Sequence, residues 1–165
     1  MFNHLLVPLD GSELAEAALP LATAVAKKFG SRITLVSAVH LPYYVGDGLD
    51  FAEVYGDISQ NMEDEAKTYL QAKQRELITA GFHVDIEIVI GQPPAEAILQ
   101  TAVNKVADTI VMSTHGRGGV MRWVFGSVAD KVLRNADVPI LLARAPSKSP
   151  SNAAEPALEN ILGQP

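Results

Sequence analysis

The chain contains no cysteine. Disulfide bonds, thiolate zinc sites and a cysteine nucleophile are therefore excluded, and this composition suits a reducing cytosol. Basic residues are also scarce, because 13 Lys and Arg stand against 19 Asp and Glu and leave a net charge of −6. Duplex nucleic acid requires a clustered positive surface on its partner, so the charge balance argues against nucleic-acid binding.

Long apolar runs are missing as well. No run approaches the roughly 20 residues of a membrane-spanning helix, and Met1 to His4 lack the basic start and long apolar region of a signal peptide. We therefore expect a soluble, cytoplasmic protein with no membrane partner. Apolar residues nevertheless make up 48% of the 165 positions, which is enough for one well-packed core and leaves no room for a second full domain.

Strand-like and helix-like segments alternate along the chain, a pattern typical of a parallel sheet with helices on both faces. The predicted strands are residues 5–8, 32–39, 83–90, 108–113 and 139–143. The predicted helices are residues 12–29, 59–80, a segment that starts at 91–94 and runs through Val106, and 126–136. Residues 41–57 contain three of the four tyrosines and are predicted to form a long loop.

The apolar pattern of the strands indicates their order in the sheet. Strands one and four are the most continuously apolar, whereas strand three alternates as a strand near an edge does. We predict an α/β fold with an open, doubly wound, Rossmann-like five-stranded parallel sheet in the order 3-2-1-4-5. The topology then reverses between strands one and four, and a ligand crevice forms beyond their carboxyl ends.

The composition changes after Arg144, where proline and serine become frequent. We therefore divide the chain into a domain of residues 1–145 and a segment of residues 146–165. This second segment is predicted to be a flexible linker with a short amphipathic C-terminal tail that carries Leu158, Ile161 and Leu162.

A glycine-rich segment, residues 112–119, follows the fourth predicted strand, and Gly126-Ser127 opens the next predicted helix. Glycine permits positive φ and close backbone approach, so several N–H groups can turn toward one anion. The N-terminus of a helix favours the same negative charge. This arrangement predicts a phosphate-binding site, and a flexible turn is the structural alternative.

Two of the candidate residues also fit structural roles. Ser127 fits a helix N-cap with Asp130 at the capping-box spacing, and Asp10 fits an acid that complements the dipole of the first helix. The four histidines show no metal-ligand spacing. The chain also lacks a Gly-x-Ser-x-Gly nucleophile elbow, a P-loop and a Gly-x-Gly-x-x-Gly motif. We therefore expect any hydrolysis to be slow.

These motifs resemble those of the universal stress protein family, in its single-domain, ATP-binding form, over about residues 1–145. The family signature is Gly-x-x-Gly, nine residues, then Gly-Ser/Thr. It is matched by Ser113 to Gly116 and by Gly126-Ser127, with serine in place of the first glycine. The other matches are residues 7–12, 91–93 and 138–142.

The resemblance implies a stress-response regulatory protein that binds ATP or another adenine nucleotide, together with Mg²⁺ near Asp10. No residue is assigned a catalytic role. The Cβ of Ser113 is expected to narrow the approach of the sugar. The residues indicated for nucleotide binding are Pro8, Leu9, Asp10, Ala38, Val39, Met112, Ser113, His115, Gly116, Arg117, Gly119, Gly126, Ser127 and Val128.

The last predicted strand would be an exposed apolar edge in a monomer, which proteins usually cover or pair. The resemblance implies a homodimer through Val138 to Ala143. Two other functions remain open at this point. One is a slow ATPase or phosphotransferase in which Asp10 holds a metal, and the other is a ligand-free protein-interaction module.

Overall fold

The computed structural model describes residues 1–40, 49–114 and 126–144. The strands are β1 (His4–Pro8), β2 (Arg32–Val39), β3 (Val84–Ile90), β4 (Thr109–Ser113) and β5 (Ile140–Ala143). The helices are α1 (Glu13–Glu16), α2 (Leu19–Phe29), α3 (Leu49–Thr79), α4 (Pro94–Asn104) and α5 (Ser127–Asn135). Within these ranges no helix is long and apolar enough to cross a membrane.

All five strands belong to one parallel sheet in the order β3-β2-β1-β4-β5. The prediction of an open, doubly wound sheet in this order is therefore confirmed. All residues of β4 are buried, and so are the first four of β1, whereas Asp85 and Ile90 of β3 are exposed. The continuously apolar strands occupy the centre because helices cover them on both sides.

Successive strand residues point to opposite faces of the sheet, so the core has two halves. On one face, Leu5, Leu35 and Val111 pack against α1, α2 and Leu70 of α3. On the other face, a second cluster packs against α4 and α5; its large members are Leu6, Val36, Ile98, Ile110 and Val132. The helices therefore lie on both faces, as the alternation of segments predicted.

The predicted helix of residues 12–29 is interrupted. The structure has α1 and α2 instead, with Ala17 and Ala18 between them. Proline has no N–H, so Pro20 cannot donate to the carbonyl of Glu16, and its ring clashes there. Proline is tolerated in a first helical turn, and α2 accordingly begins at Leu19 with Pro20 next.

The loop prediction for residues 41–57 is wrong from Leu49 onward, because α3 begins there and runs for 31 residues. Gly56 lies inside this helix, and a glycine in a helix interior costs only about 1 kcal/mol relative to alanine. A single such cost does not end a long helix. Residues 41–48 lie outside the described part of the chain.

Candidate functional site

The first part of the candidate site is the turn after β1. The Leu9 amide donates to the Val36 carbonyl at 2.8 Å, so the chain stays beside β2 for one residue beyond β1. Oδ1 of Asp10 then accepts hydrogen bonds from the Ser12 amide at 3.0 Å and from the Ser12 hydroxyl at 2.6 Å. The Ser12 hydroxyl in turn accepts from the Ala15 amide at 3.1 Å. Ser12 is therefore the N-cap of α1.

This geometry gives Asp10 a structural role at the N-terminus of α1. Asp10 lies two residues before the N-cap and organises the turn through Ser12. Its carboxylate is thereby held at the carboxyl end of β1. That edge of the sheet is where open α/β folds bind ligands.

The second part of the site is the exit of β4. Met112 and Ser113 are both buried, and Ser113 is paired with Ala143 of β5. The Thr114 amide donates to the Ala143 carbonyl at 3.1 Å, and the Gly126 amide donates to the Thr114 carbonyl at 2.9 Å. Thr114 and Gly126, the described residues on either side of the segment 115–125, are therefore hydrogen-bonded to each other. His115, Gly116, Arg117 and Gly119 were predicted to bind the nucleotide, and they lie outside the described residues.

The third part is the first turn of α5. The predicted N-cap role of Ser127 is wrong, because Gly126 is the N-cap and Ser127 is the first helical residue. The N-cap side chain belongs to the residue that precedes the first helical residue, so Ser127, which lies inside the first turn, cannot take that role. Asp130 does not complete a capping box, because the N-cap Gly126 has no side-chain oxygen and the third helical position is Ala129. Oδ2 of Asp130 instead accepts from Nε of Arg134 at 2.9 Å. The first-turn amides of α5, which include those of Ser127 and Val128, have no intrahelical acceptor and favour an anion.

The fourth part is the end of β2. Val39 is buried, whereas Ala38 is half-buried and paired with Val89 of β3. The Gly91 amide donates to the Val39 carbonyl at 2.9 Å, and Gly91 has φ of 76°. Only glycine adopts this conformation routinely, so the chain turns sharply beside the residues implied to border the base.

Parallel strands place their carboxyl ends at one edge of a sheet, and all four parts follow strands or begin a helix at that edge. The topology thus brings together Pro8, Leu9 and Asp10, Ala38 and Val39, Met112 and Ser113, and Gly126 to Val128. Among the described residues no group of three or more His, Asp or Glu side chains is placed to hold a metal. Asp10 is the one carboxylate that the sequence analysis assigned to metal binding.

The sequence analysis missed a polar network behind the site. The Tyr69 hydroxyl of α3 donates to Oε1 of Glu16 at 2.9 Å, and Nζ of Lys73 lies 2.9 Å from Oε2. Burial and this hydrogen bond raise the pKa of Tyr69 well above 10. The hydrogen bond to Glu16 also raises the pKa of Lys73. No spacing rule could reveal the network, because Glu16 and Tyr69 lie 53 residues apart.

The sheet order, with its reversal between β1 and β4, defines a Rossmann-like, doubly wound α/β protein. The chain belongs to the universal stress protein family, whose model matches residues 1–144. The relative described as the universal stress protein in the QAH/OAS sulfhydrylase 3' region of Thermus aquaticus is 34% identical over 145 residues. This match covers 87% of the present chain and 100% of the relative.

Two solved structures show the same fold. The protein MJ0577 of Methanocaldococcus jannaschii is 27% identical with a TM-score of 0.78, and the match covers 90% of this chain and 99% of that one. A universal stress protein in complex with cAMP is 21% identical with a TM-score of 0.55, and the match covers 88% of this chain and 98% of that one. The second likeness concerns the fold alone.

Proposed function

We propose that this member of the universal stress protein family is a cytoplasmic regulatory protein that binds ATP, and that binding rather than rapid turnover is its activity. The observation that carries the proposal is the convergence at one edge of the sheet. Asp10 is held there by Ser12, and the first turn of α5 is held beside the end of β4 by the bond from Gly126 to Thr114. A carboxylate and a set of helix amides without intrahelical acceptors suit a metal-bound polyphosphate.

Mg²⁺ binds through one or two carboxylates together with substrate phosphates, rather than in a cage made only of protein ligands. The single carboxylate of Asp10 fits that pattern. Asp10 would hold the ion, which would neutralise phosphate charge. The α5 amides would bind the phosphates, and Val39 and Met112 would border the base and sugar.

The proposal is tested by isothermal titration of nucleotide-free protein with ATP, ADP, AMP and cyclic AMP, each with and without Mg²⁺. Asp10→Asn is expected to weaken ATP binding about tenfold with Mg²⁺, a change of roughly 1.4 kcal/mol, and much less without it. Asp85→Asn is the matched control, because Asp85 is an exposed carboxylate in β3. Folded protein that binds none of the four nucleotides would instead support a ligand-free interaction module.

The second candidate function is a slow ATPase or phosphotransferase. The sequence lacks the lysine that P-loop enzymes place on the phosphates, so we propose at most weak hydrolysis. Phosphate release measured under saturating ATP separates the two functions. A turnover in the kinase range of about 1 to 100 per second would overturn the regulatory proposal.

We also propose a homodimer through residues 138–143. All four residues of β5 are only partly buried, and β5 is an edge strand with an apolar sequence. Unpaired edges of this kind are usually covered or paired. A two-fold axis that pairs a strand with its own copy reverses the strand direction, so the two β5 strands would be antiparallel. Light scattering at micromolar concentration tests this proposal, and a monomeric mass would contradict it.

A further inference from the structure

An apolar groove lies at the amino edge of the sheet, on the opposite side from the nucleotide site. It has a volume of about 220 Å³, and its lining includes Leu99, Ala102, Val106, Ile110, Ala136 and Val138. It thus lies between the C-terminal half of α4 and the segment that joins α5 to β5. Pockets for drug-sized molecules begin at roughly 300 Å³, so this groove better fits a few apolar side chains of a peptide segment.

The rim of the groove contains a strained residue. α4 ends in a Schellman motif, in which the Ala107 amide donates to the Ala102 carbonyl at 2.9 Å and the Val106 amide donates to the Val103 carbonyl at 3.1 Å. Glycine normally occupies the left-handed position of this motif. Here the position is Val106, with φ of 53° and 77% of its surface exposed.

A β-branched residue in the left-handed region is an outlier that costs on the order of 1 to 3 kcal/mol, and such strain clusters at functional positions. Val103, beside it, is also 65% exposed. The rim of the groove is therefore apolar at position 106, where glycine would make the folded chain more stable than valine does. This combination indicates a surface that contacts another segment.

We propose that the groove binds the C-terminal segment of the partner subunit, through the apolar side chains of that segment at positions 158, 161 and 162. This inference rests on the antiparallel dimer proposed above. Twenty-one residues, 145–165, follow Arg144 in the sequence. Leu158, Ile161 and Leu162 are spaced so that they would share one face of a helix.

The direction of β5 places the start of the partner's segment nearer to this groove than the start of the chain's own, and the shorter connection favours the partner's segment. β5 ends at Ala143, at the carboxyl edge, whereas Val138 of the groove precedes the start of β5 at the amino edge. In an antiparallel pair, the end of one β5 lies next to the start of the other. The partner's C-terminal segment, which follows residue 144, would therefore begin beside this groove. The 13 residues 145–157 span up to about 43 Å when extended, which is ample for the remaining distance.

The absence of cysteine makes disulfide trapping a direct test. Two tagged copies of the full chain are co-expressed, one with Val106→Cys and the other with Ile161→Cys, and the mixed dimer is purified and mildly oxidised. We expect most of this dimer to become covalently linked. Ile78→Cys replaces Val106→Cys in the control, because Ile78 is similarly exposed, at 51%, but lies in α3 on the other face of the sheet. We expect little linkage in the control.

A second sample carries Val106→Cys and Ile161→Cys on one chain, paired with an unsubstituted copy. A disulfide that forms only within this chain would overturn the inference in favour of the chain's own segment. A dimer that forms no disulfide in either sample would also overturn it. A monomeric mass in light scattering would contradict both the proposed dimer and this inference. ATP affinity, measured separately, would still decide the nucleotide site.

Discussion

Tyr69 in α3 donates a hydrogen bond to Glu16 in α1, and the two oxygens are 2.9 Å apart. Glu16 lies only six residues after Asp10, in the helix whose N-cap, Ser12, binds the Asp10 carboxylate. Lys73 binds the second oxygen of Glu16 at 2.9 Å. The longest described helix is therefore attached to the short helix whose N-cap is hydrogen-bonded to Asp10, the proposed metal-binding residue.

Tyr69→Phe tests this attachment through the pH dependence of stability. Burial and the Glu16 hydrogen bond raise the pKa of Tyr69 in the folded state, whereas an unfolded tyrosine titrates near 10. The folded state therefore holds its proton at a pH where the unfolded state releases it. Tyr69 contributes stability that is complete below about pH 10 and is lost as the pH rises further.

We expect Tyr69→Phe to lower the free energy of unfolding by about 1 kcal/mol at pH 8, through the lost hydrogen bond. The difference from the unsubstituted protein should shrink between pH 10 and 11. Urea unfolding at several pH values measures it. A constant difference across that interval would show that Tyr69 ionisation is not linked to folding.

Asp108→Asn tests the connection between β1 and β4. Partial burial pushes the pKa of Asp108 up, but hydrogen bonds from the Asn3 amide, the Thr109 hydroxyl and the His4 amide outweigh it and leave the pKa below its usual value. The contribution is therefore present above about pH 4 and is lost as the pH falls through the folded-state pKa.

The Asp108→Asn variant should lose about 1 kcal/mol of unfolding free energy at pH 7, because the backbone amides lose a charged acceptor. This deficit should diminish between pH 4 and pH 2. Asp85→Asn is the control, and as an exposed substitution it should change stability by less than about 0.5 kcal/mol. Thermal unfolding across this pH range measures both variants, and an unchanged deficit at pH 2 would contradict the assignment.

Ser113→Gly restores the glycine of the family signature and should have two opposite effects. Glycine in a strand interior costs roughly 0.5 to 1 kcal/mol of stability. Removing the Cβ at the end of β4 opens the approach of the sugar, so we expect ATP to bind several-fold more tightly. Titration calorimetry together with urea unfolding separates the two effects. Weaker ATP binding in a folded variant would show that the serine side chain itself contacts the nucleotide.

Val106→Gly should raise stability, which few substitutions of an apolar residue do. Glycine removes the strain of φ 53°, and it loses little surface that is buried inside the subunit, because Val106 is 77% exposed within its own subunit. We expect a gain of about 1 kcal/mol, the lower end of the strain estimate. Val103→Gly, in the last turns of α4, is the matched control and should lose about 0.3 kcal/mol, the difference in helix propensity between valine and glycine. Equal losses in both variants would argue against strain at Val106.

The strand order could be predicted from the sequence because the apolar pattern of each strand reflects how many of its faces are covered. The buried run in β4 and the alternating Val84, Asp85 and Ile86 in β3 reflect coverage on two faces and exposure at an edge. The family motifs follow the predicted strands directly, and they therefore predicted that the site lies at the carboxyl edge of the sheet. Element boundaries were less accurate where one residue decides them, as Pro20 does between α1 and α2.

The missed features depend on tertiary contacts that local pattern does not encode. Ser127 matches a capping pattern, yet Gly126 is the N-cap, because its backbone is extended at ψ of 151° and its carbonyl accepts the first helical hydrogen bond, from the Asp130 amide. The start of α3 was missed because Pro42, Gly46, Gly48 and Gly56 are residues typical of loops. The contact of Tyr69 with Glu16 exists only once α3 packs beside α1.

The 31 residues of α3 extend over about 46 Å, twice the roughly 23 Å of the seven-residue β3. Tyr69 and Lys73 of α3 contact Glu16. Leu70, between them, is the one fully buried side chain among the described residues of α3. Twenty residues, about 30 Å of helix, precede Tyr69. A tilt of about 10° at Tyr69 would displace the far end by about 5 Å. A small rotation of α3 about its contact with Glu16, close to the turn that contains Asp10, would therefore become a large displacement at the N-terminus of α3.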